Sequence, residues 1–117
     1  SIVSFDGPEV NEIGEGAFRD SNIRKAKLAI LTNIPKHCFD GCEALFEVKI
    51  PHLEEIDEFA FQGCVGLENL TLPHSMRILK KGAFLKCGKL CLDLEFETNP
   101  PGFVNNCFKG IHAFKRP

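Results

Sequence analysis

Ile56-Asp57-Glu58-Phe59-Ala60-Phe61-Gln62-Gly63-Cys64-Val65-Gly66-Leu67-Glu68-Asn69-Leu70-Thr71-Leu72-Pro73 decides the fold, because its apolar positions recur in four further copies. Setting each Ala-Phe or Cys-Phe pair in one column aligns Ala17-Phe18, Cys38-Phe39, Ala60-Phe61, Ala83-Phe84 and Cys107-Phe108. The Phe-to-Phe steps are 21, 22, 23 and 24 residues. Five residues before each Phe stands an apolar residue: Ile13, Ile34, Ile56, Leu79 and Phe103. Three earlier again come Val10, Leu31, Leu53 and Met76, with Pro100 as the break. Three after the Phe come Ser21, Cys42, Cys64, Cys87 and Ile111. Six after come Leu45, Leu67, Leu90 and Phe114, and Ile23 fills that place in the first copy once one residue is deleted. Repetition in a fixed frame is the mark of a solenoid, in which one coil buries its apolar side chains only by stacking on its neighbours.

Each copy then runs into a short alternating segment, with Ala26/Leu28, Val48/Ile50 and Leu70/Leu72 as its apolar members. Period two places Leu70 and Leu72 inside and Asn69 and Thr71 outside, so these segments read as strands. Strands of successive coils are expected to pair in parallel, about 4.8 Å apart. Pro51 and Pro73 close two of them, and Val3-Ser4-Phe5 fits the strand of a truncated preceding copy. The Ala-Phe segments are expected to form short helical or 3-10 turns opposite. The predicted fold is thus an α/β repeat solenoid, a right-handed coil of about four and a half repeats spanning residues 1–117 as one domain. Ser1 is not a Met, so the domain is expected to belong to a longer protein.

The 56–73 stretch resembles the BspA-like leucine-rich repeat, with its I-x-x-x-A-F-x-G-C-x-x-L-x-x-I-x-I-P pattern, and Cys38 to Pro51 matches with Cys in place of Ala. The resemblance runs from Val10 to about Lys115. The fourth copy departs in Cys91-Leu-Asp-Leu-Glu-Phe96, where apolar residues fall one step out of phase. The fifth is expected to stop at Pro117 before completing a strand. The resemblance implies a parallel β-sheet on a concave face and a protein-interaction module of the kind found in surface or secreted proteins of bacteria and parasitic protists. A cytoplasmic location is the alternative.

Composition narrows the function. A net charge of −2 gives no basic excess for nucleic acid or an anionic membrane surface, and no apolar run is long enough to insert in a bilayer. Eleven Phe with no Trp or Tyr favour dry internal packing over a wet binding site, because Phe has no polar handle. Six Cys need an explanation, and the frame supplies one for five. Cys42, Cys64 and Cys87 share one apolar slot, while Cys38 and Cys107 share the small-residue slot. All are expected to be unbridged core residues. Neighbouring thiols in a stack come within disulfide range, but their Cβ vectors run parallel. Zinc would need four converging ligands, whereas Cys38, Cys42, Cys87, Cys91 and His37 would be strung along a row. No metal and no cofactor are therefore expected.

For catalysis, His37-Cys38 is the only adjacent base and nucleophile, and neighbours in a chain point apart. His52 and His74 follow strand-ending prolines, and His112 lies in the incomplete copy. No phosphate loop or nucleophile elbow occurs, so no enzyme activity is expected. Asn69-Leu-Thr71 is a glycosylation sequon. The outward strand positions form the candidate ligand-contact strip: Lys25, Lys27, Glu47, Lys49, Asn69 and Thr71, with Asp93 and Glu95 added by the fourth copy. A protein or glycoconjugate partner is expected there. The alternative is a structural spacer whose strip is simply solvated, with end-to-end association possible at open ends.

Overall fold

A computed structural model describes residues 3–117. Ten short strands follow one another: β1 (Ser4–Asp6), β2 (Lys25–Lys27), β3 (Asn33–Ile34), β4 (Glu47–Lys49), β5 (Glu55–Ile56), β6 (Asn69–Leu72), β7 (Ile78–Leu79), β8 (Cys87–Leu94), β9 (Gly102–Phe103) and β10 (Ile111–Lys115). Every pairing is parallel, and each partner lies one coil away. The chain is therefore a parallel-strand solenoid of about five turns. Two sets of strands alternate along it. One forms the ladders β1-β2-β4 and β6-β8-β10, and the other the continuous ladder β3-β5-β7-β9, which the sequence did not lead us to expect.

The inward slots are those the repeat frame specifies. Ile34, Ile56 and Leu79, Leu31, Leu53 and Met76, and Leu45, Leu67 and Leu90 are all buried, and no charged side chain is buried among the described residues. The Phe rings stack along the axis, with centroids 5.3 Å apart for Phe18–Phe39, 5.2 Å for Phe39–Phe61 and 5.7 Å for Phe61–Phe84. The column has four members rather than five. Phe108 instead meets Phe103 and Phe114. The longest Phe-to-Phe step precedes it, and a Phe ring occupies the slot that other coils give to Ile or Leu.

The expected helical or 3-10 turns are absent among the described residues, and backbone geometry shows why. Each Ala-Phe segment carries two residues of positive φ, four positions apart: Gly16 and Asp20, His37 and Gly41, Phe59 and Gly63, Gly82 and Lys86, Asn106 and Gly110. A right-handed helix cannot hold a left-handed residue every fourth position. The chain forms consecutive turns instead, and their N–H groups alternate in direction. Cys38, Asp40 and Cys42 donate three residues back, at 3.1–3.2 Å for Cys42, Cys38 and Asp40. His37, Phe39 and Gly41 donate across to Glu58, Ala60 and Gln62 of the next coil, at 3.1, 2.7 and 2.8 Å. The same crossing joins Phe59, Phe61 and Gly63 to Lys81, Ala83 and Leu85.

Two further expectations are corrected. The fourth copy does keep its register: Leu92 pairs with Leu70 and Leu94 with Leu72, because this coil has one residue fewer between Leu90 and Leu92 than the third has between Leu67 and Leu70. The fifth copy completes a strand, β10, in which Phe114 lies opposite Leu92 rather than in the Leu90 slot.

Lys86 is exposed, has no ion-pair partner among the described residues, and sits at φ 60 where the second and third coils use Gly. Lys86→Gly should therefore stabilise the chain by about 0.5–1 kcal/mol. Gly63→Ala should cost about 1 kcal/mol at φ 75, although the space beside it is open to 3.6 Å. Denaturant unfolding of both variants checks the pair.

Candidate interaction surface

The Cys column has a role beyond filling space. The Cys42 thiol donates to the Phe18 carbonyl at 2.8 Å, Cys64 to Phe39 at 3.2 Å and Cys87 to Phe61 at 3.0 Å. Each carbonyl belongs to the preceding coil, so the column ties successive turns together. A small side chain with a weak donor fits a slot that is apolar except for one carbonyl. All six cysteines are free. Burial pushes the thiols up, Cys38 to about 12 and Cys87 to about 11, with Cys42, Cys64 and Cys107 raised for the same reason.

His37 and Cys38 point apart. Cys38 is wholly buried, whereas the His37 ring faces outward, stacked on Phe59 at 5.4 Å, with Nδ1 2.6 Å from Asp40 Oδ2. Arg19 approaches the same carboxylate at 3.9 Å. No nucleophile joins this group. His52, His74 and His112 are exposed at separate places. Among the described residues, no three His, Cys, Asp or Glu side chains are grouped to hold a metal.

The outward strand residues do come together. Lys25 lies opposite Glu47 and Lys27 opposite Lys49, with Ser4 and Asp6 beside Lys25 and Lys27 on β1. Across the other ladder Asn69 lies opposite Cys91 and Thr71 opposite Asp93. The strip position in the fourth coil is therefore Cys91 followed by Asp93. Glu95 falls beyond Asp93 on the same face, because the residue missing between Leu90 and Leu92 brings Cys91 rather than Asp93 opposite Asn69. Cys91 and Lys115, which lies opposite Asp93, were missed because the out-of-phase apolar run concealed that shift. Lys27, Lys49, Asn69, Thr71, Asp93 and Glu95 are exposed, and Lys25 and Glu47 half-buried. The sequon residues Asn69 and Thr71 thus both face outward.

Ion pairs cross between coils at several places, one of them at the acidic end of the strip, where Glu95 lies 3.7 Å from His74. Away from the strip, cations reach acids on the adjacent coil: Lys36–Glu58 at 3.3 Å, Lys80–Asp57 at 3.6 Å, and Arg77–Glu55 at 3.1 Å. Among the described residues, no acid lies within 4.0 Å of Lys25, Lys27 or Lys49. The Arg24 guanidinium and Lys25 ammonium instead sit 5.3 and 5.5 Å from the centre of the Phe46 ring. Between β4 and β6 lies an open groove of about 320 Å³, lined by Val48, Lys49, Ile50, Pro51, Thr71, Pro73 and Glu95.

The comparisons with known proteins agree with this architecture. The BspA type leucine-rich repeat region matches residues 3–115 in six copies, and the chain belongs to that family. Its fold is similar to that of a leucine-rich repeat protein from T. pallidum, with 26% identity and a TM-score of 0.81 over 92% of this chain. A leucine-rich repeat protein from Eubacterium ventriosum shares the fold at 21% identity and a TM-score of 0.76 over 98% of it. The chain spans 54% of the first of those chains and 32% of the second. No curated protein matches it. Repeats of this family generally serve as protein-interaction or scaffold units and are typically non-catalytic.

At pH 8 a thiol reagent should modify Cys91 first, because it alone among the six is not buried. The other five stay protonated and shielded, and should react only on unfolding. Equal rates at several cysteines of the folded chain would contradict the buried column.

Proposed function

We propose that the chain is a non-catalytic interaction module whose outward strand face binds a protein or glycoconjugate partner. A surface or secreted location goes with this reading, since BspA-type repeats are typical of such bacterial proteins. No helix among the described residues is long and apolar enough to cross a membrane. The observation that carries the proposal is that Lys25, Lys27 and Lys49 have no ion-pair partner within 4.0 Å among the described residues. Like charges directly opposite on neighbouring strands destabilise a sheet, yet Lys27 faces Lys49, and no acid lies within 4.0 Å of either lysine among the described residues. A spacer needs only a solvated surface and gains nothing from that arrangement.

The strip runs from basic at β2 through mixed at β4 and neutral at β6 to acidic at β8. A partner with the opposite gradient docks in one direction, since such complementarity governs orientation and association rate more than affinity. A single exposed pair is worth about 0.2–1 kcal/mol, so the test combines changes. Reversing Lys25, Lys27 and Lys49 to Glu should leave the fold intact, weaken binding to a captured partner and alter its salt dependence. Unchanged affinity and salt slope would favour the spacer.

A further inference from the structure

The junction between β4 and β6 is, among the described residues, the one place on the strand face where successive coils share no ladder. The same two coils stay joined elsewhere, through β3–β5 and the crossing hydrogen bonds of the Phe turns. They are thus parted on one face only. Glu47 donates back to Arg24 of β2, so strand alternation turns the Val48 peptide groups toward the gap. Cys91 donates to Glu68, so the Asn69 and Thr71 groups face the gap from the other side. Exposed backbone groups of this kind pair with water or with a bound chain.

The gap also uncovers apolar surface. Val48, Ile50 and Leu70 are 8%, 5% and 3% exposed, whereas Ala26, Leu28 and Leu92 in the corresponding slots of neighbouring coils are 0%. A groove of about 320 Å³ lies at the small end of ligand pockets, about 300–1,000 Å³. Its floor is apolar, Thr71 and Lys49 border it, and Glu95 stands at the Pro73 end. Buried apolar anchors ringed by polar contacts carry most of the energy of protein interfaces.

We propose that this seam is an anchoring pocket for one apolar side chain of an extended acidic polypeptide, whose carboxylates face Lys27 and Lys49. The carboxylates lie over the β2–β4 side of the seam, because Lys25, Lys27 and Lys49 outnumber Glu47 there and have no acid within 4.0 Å among the described residues, whereas Asp93 and Glu95 make the β8 side acidic. The proposal rests on the strand face being the interaction surface.

The test uses the full chain, labelled with nitrogen-15, and capped peptides as probes: acetyl-Glu-Asp-Leu-Asp-Glu-amide, its central-Ala counterpart, and acetyl-Lys-Lys-Leu-Lys-Lys-amide. The Leu peptide should shift the amides of Val48, Lys49, Leu70 and Thr71. The Ala peptide should bind about tenfold more weakly, as expected for one buried aliphatic side chain. Thr71→Trp fills the groove from an exposed position and should abolish the difference between them. Lys49→Glu, also exposed, should shift preference toward the lysine peptide. Equal binding of the Leu and Ala peptides to the parent, with shifts confined to Lys25, Lys27 and Asn69, would overturn the seam but keep the strand-face reading. No strand-face shift with any peptide at millimolar concentration would overturn the seam, and triple reversal with a captured partner then judges the face independently.

Discussion

A Phe turn in this chain can satisfy its backbone only against another coil. Alternate N–H groups are spent within the turn, and those of Phe39 and Phe61 point along the axis to Ala60 and Ala83, at 2.7 and 2.8 Å. That division follows from left-handed residues placed four apart. It fixes the stacking direction, brings the Phe rings within 5.2–5.7 Å of one another from Phe18 to Phe84, and sets each Cys thiol beneath the previous coil's Phe carbonyl. Where the crossing bonds end, at the fourth coil, the ring column ends too.

The strand face inherits its order from this stacking. Coils held in register by their turns present Lys25, Glu47, Asn69 and Cys91 as one row, and Lys27, Lys49, Thr71 and Asp93 as another. Cross-coil ion pairs such as Lys36–Glu58 and Arg77–Glu55 lie off that face. On the strip, Lys25, Lys27 and Lys49 have no acid within 4.0 Å among the described residues, while Glu95 at the acidic end lies 3.7 Å from His74. The same turns hold the second and third coils together where their strands part, so the seam opens without separating the coils.

Much of this was legible in the sequence, because a 21–24-residue frame fixes which side chains face inward. Leu70 and Leu72 inside with Asn69 and Thr71 outside needed only strand alternation, and the unbridged Cys column needed only the shared slot. The turn conformation was missed even though Gly41, Gly63 and Gly110 mark positive φ, because His37, Phe59 and Lys86 adopt it without glycine's signature. Cys91 was missed as a strip residue because a single omitted residue moved β8. The seam left no trace at all: the Val48–Leu70 and Leu70–Leu92 spacings are identical, yet only the second pair is hydrogen-bonded into a ladder.

Native-state hydrogen exchange at the amides of Phe39 and Phe61 tests most directly whether coil-to-coil hydrogen bonding holds the fold together. If it does, both amides exchange only through global unfolding, with opening free energies equal to the denaturant-derived stability of the whole chain. Exchange of either amide by local opening, at rates typical of unprotected surface turns, would contradict it.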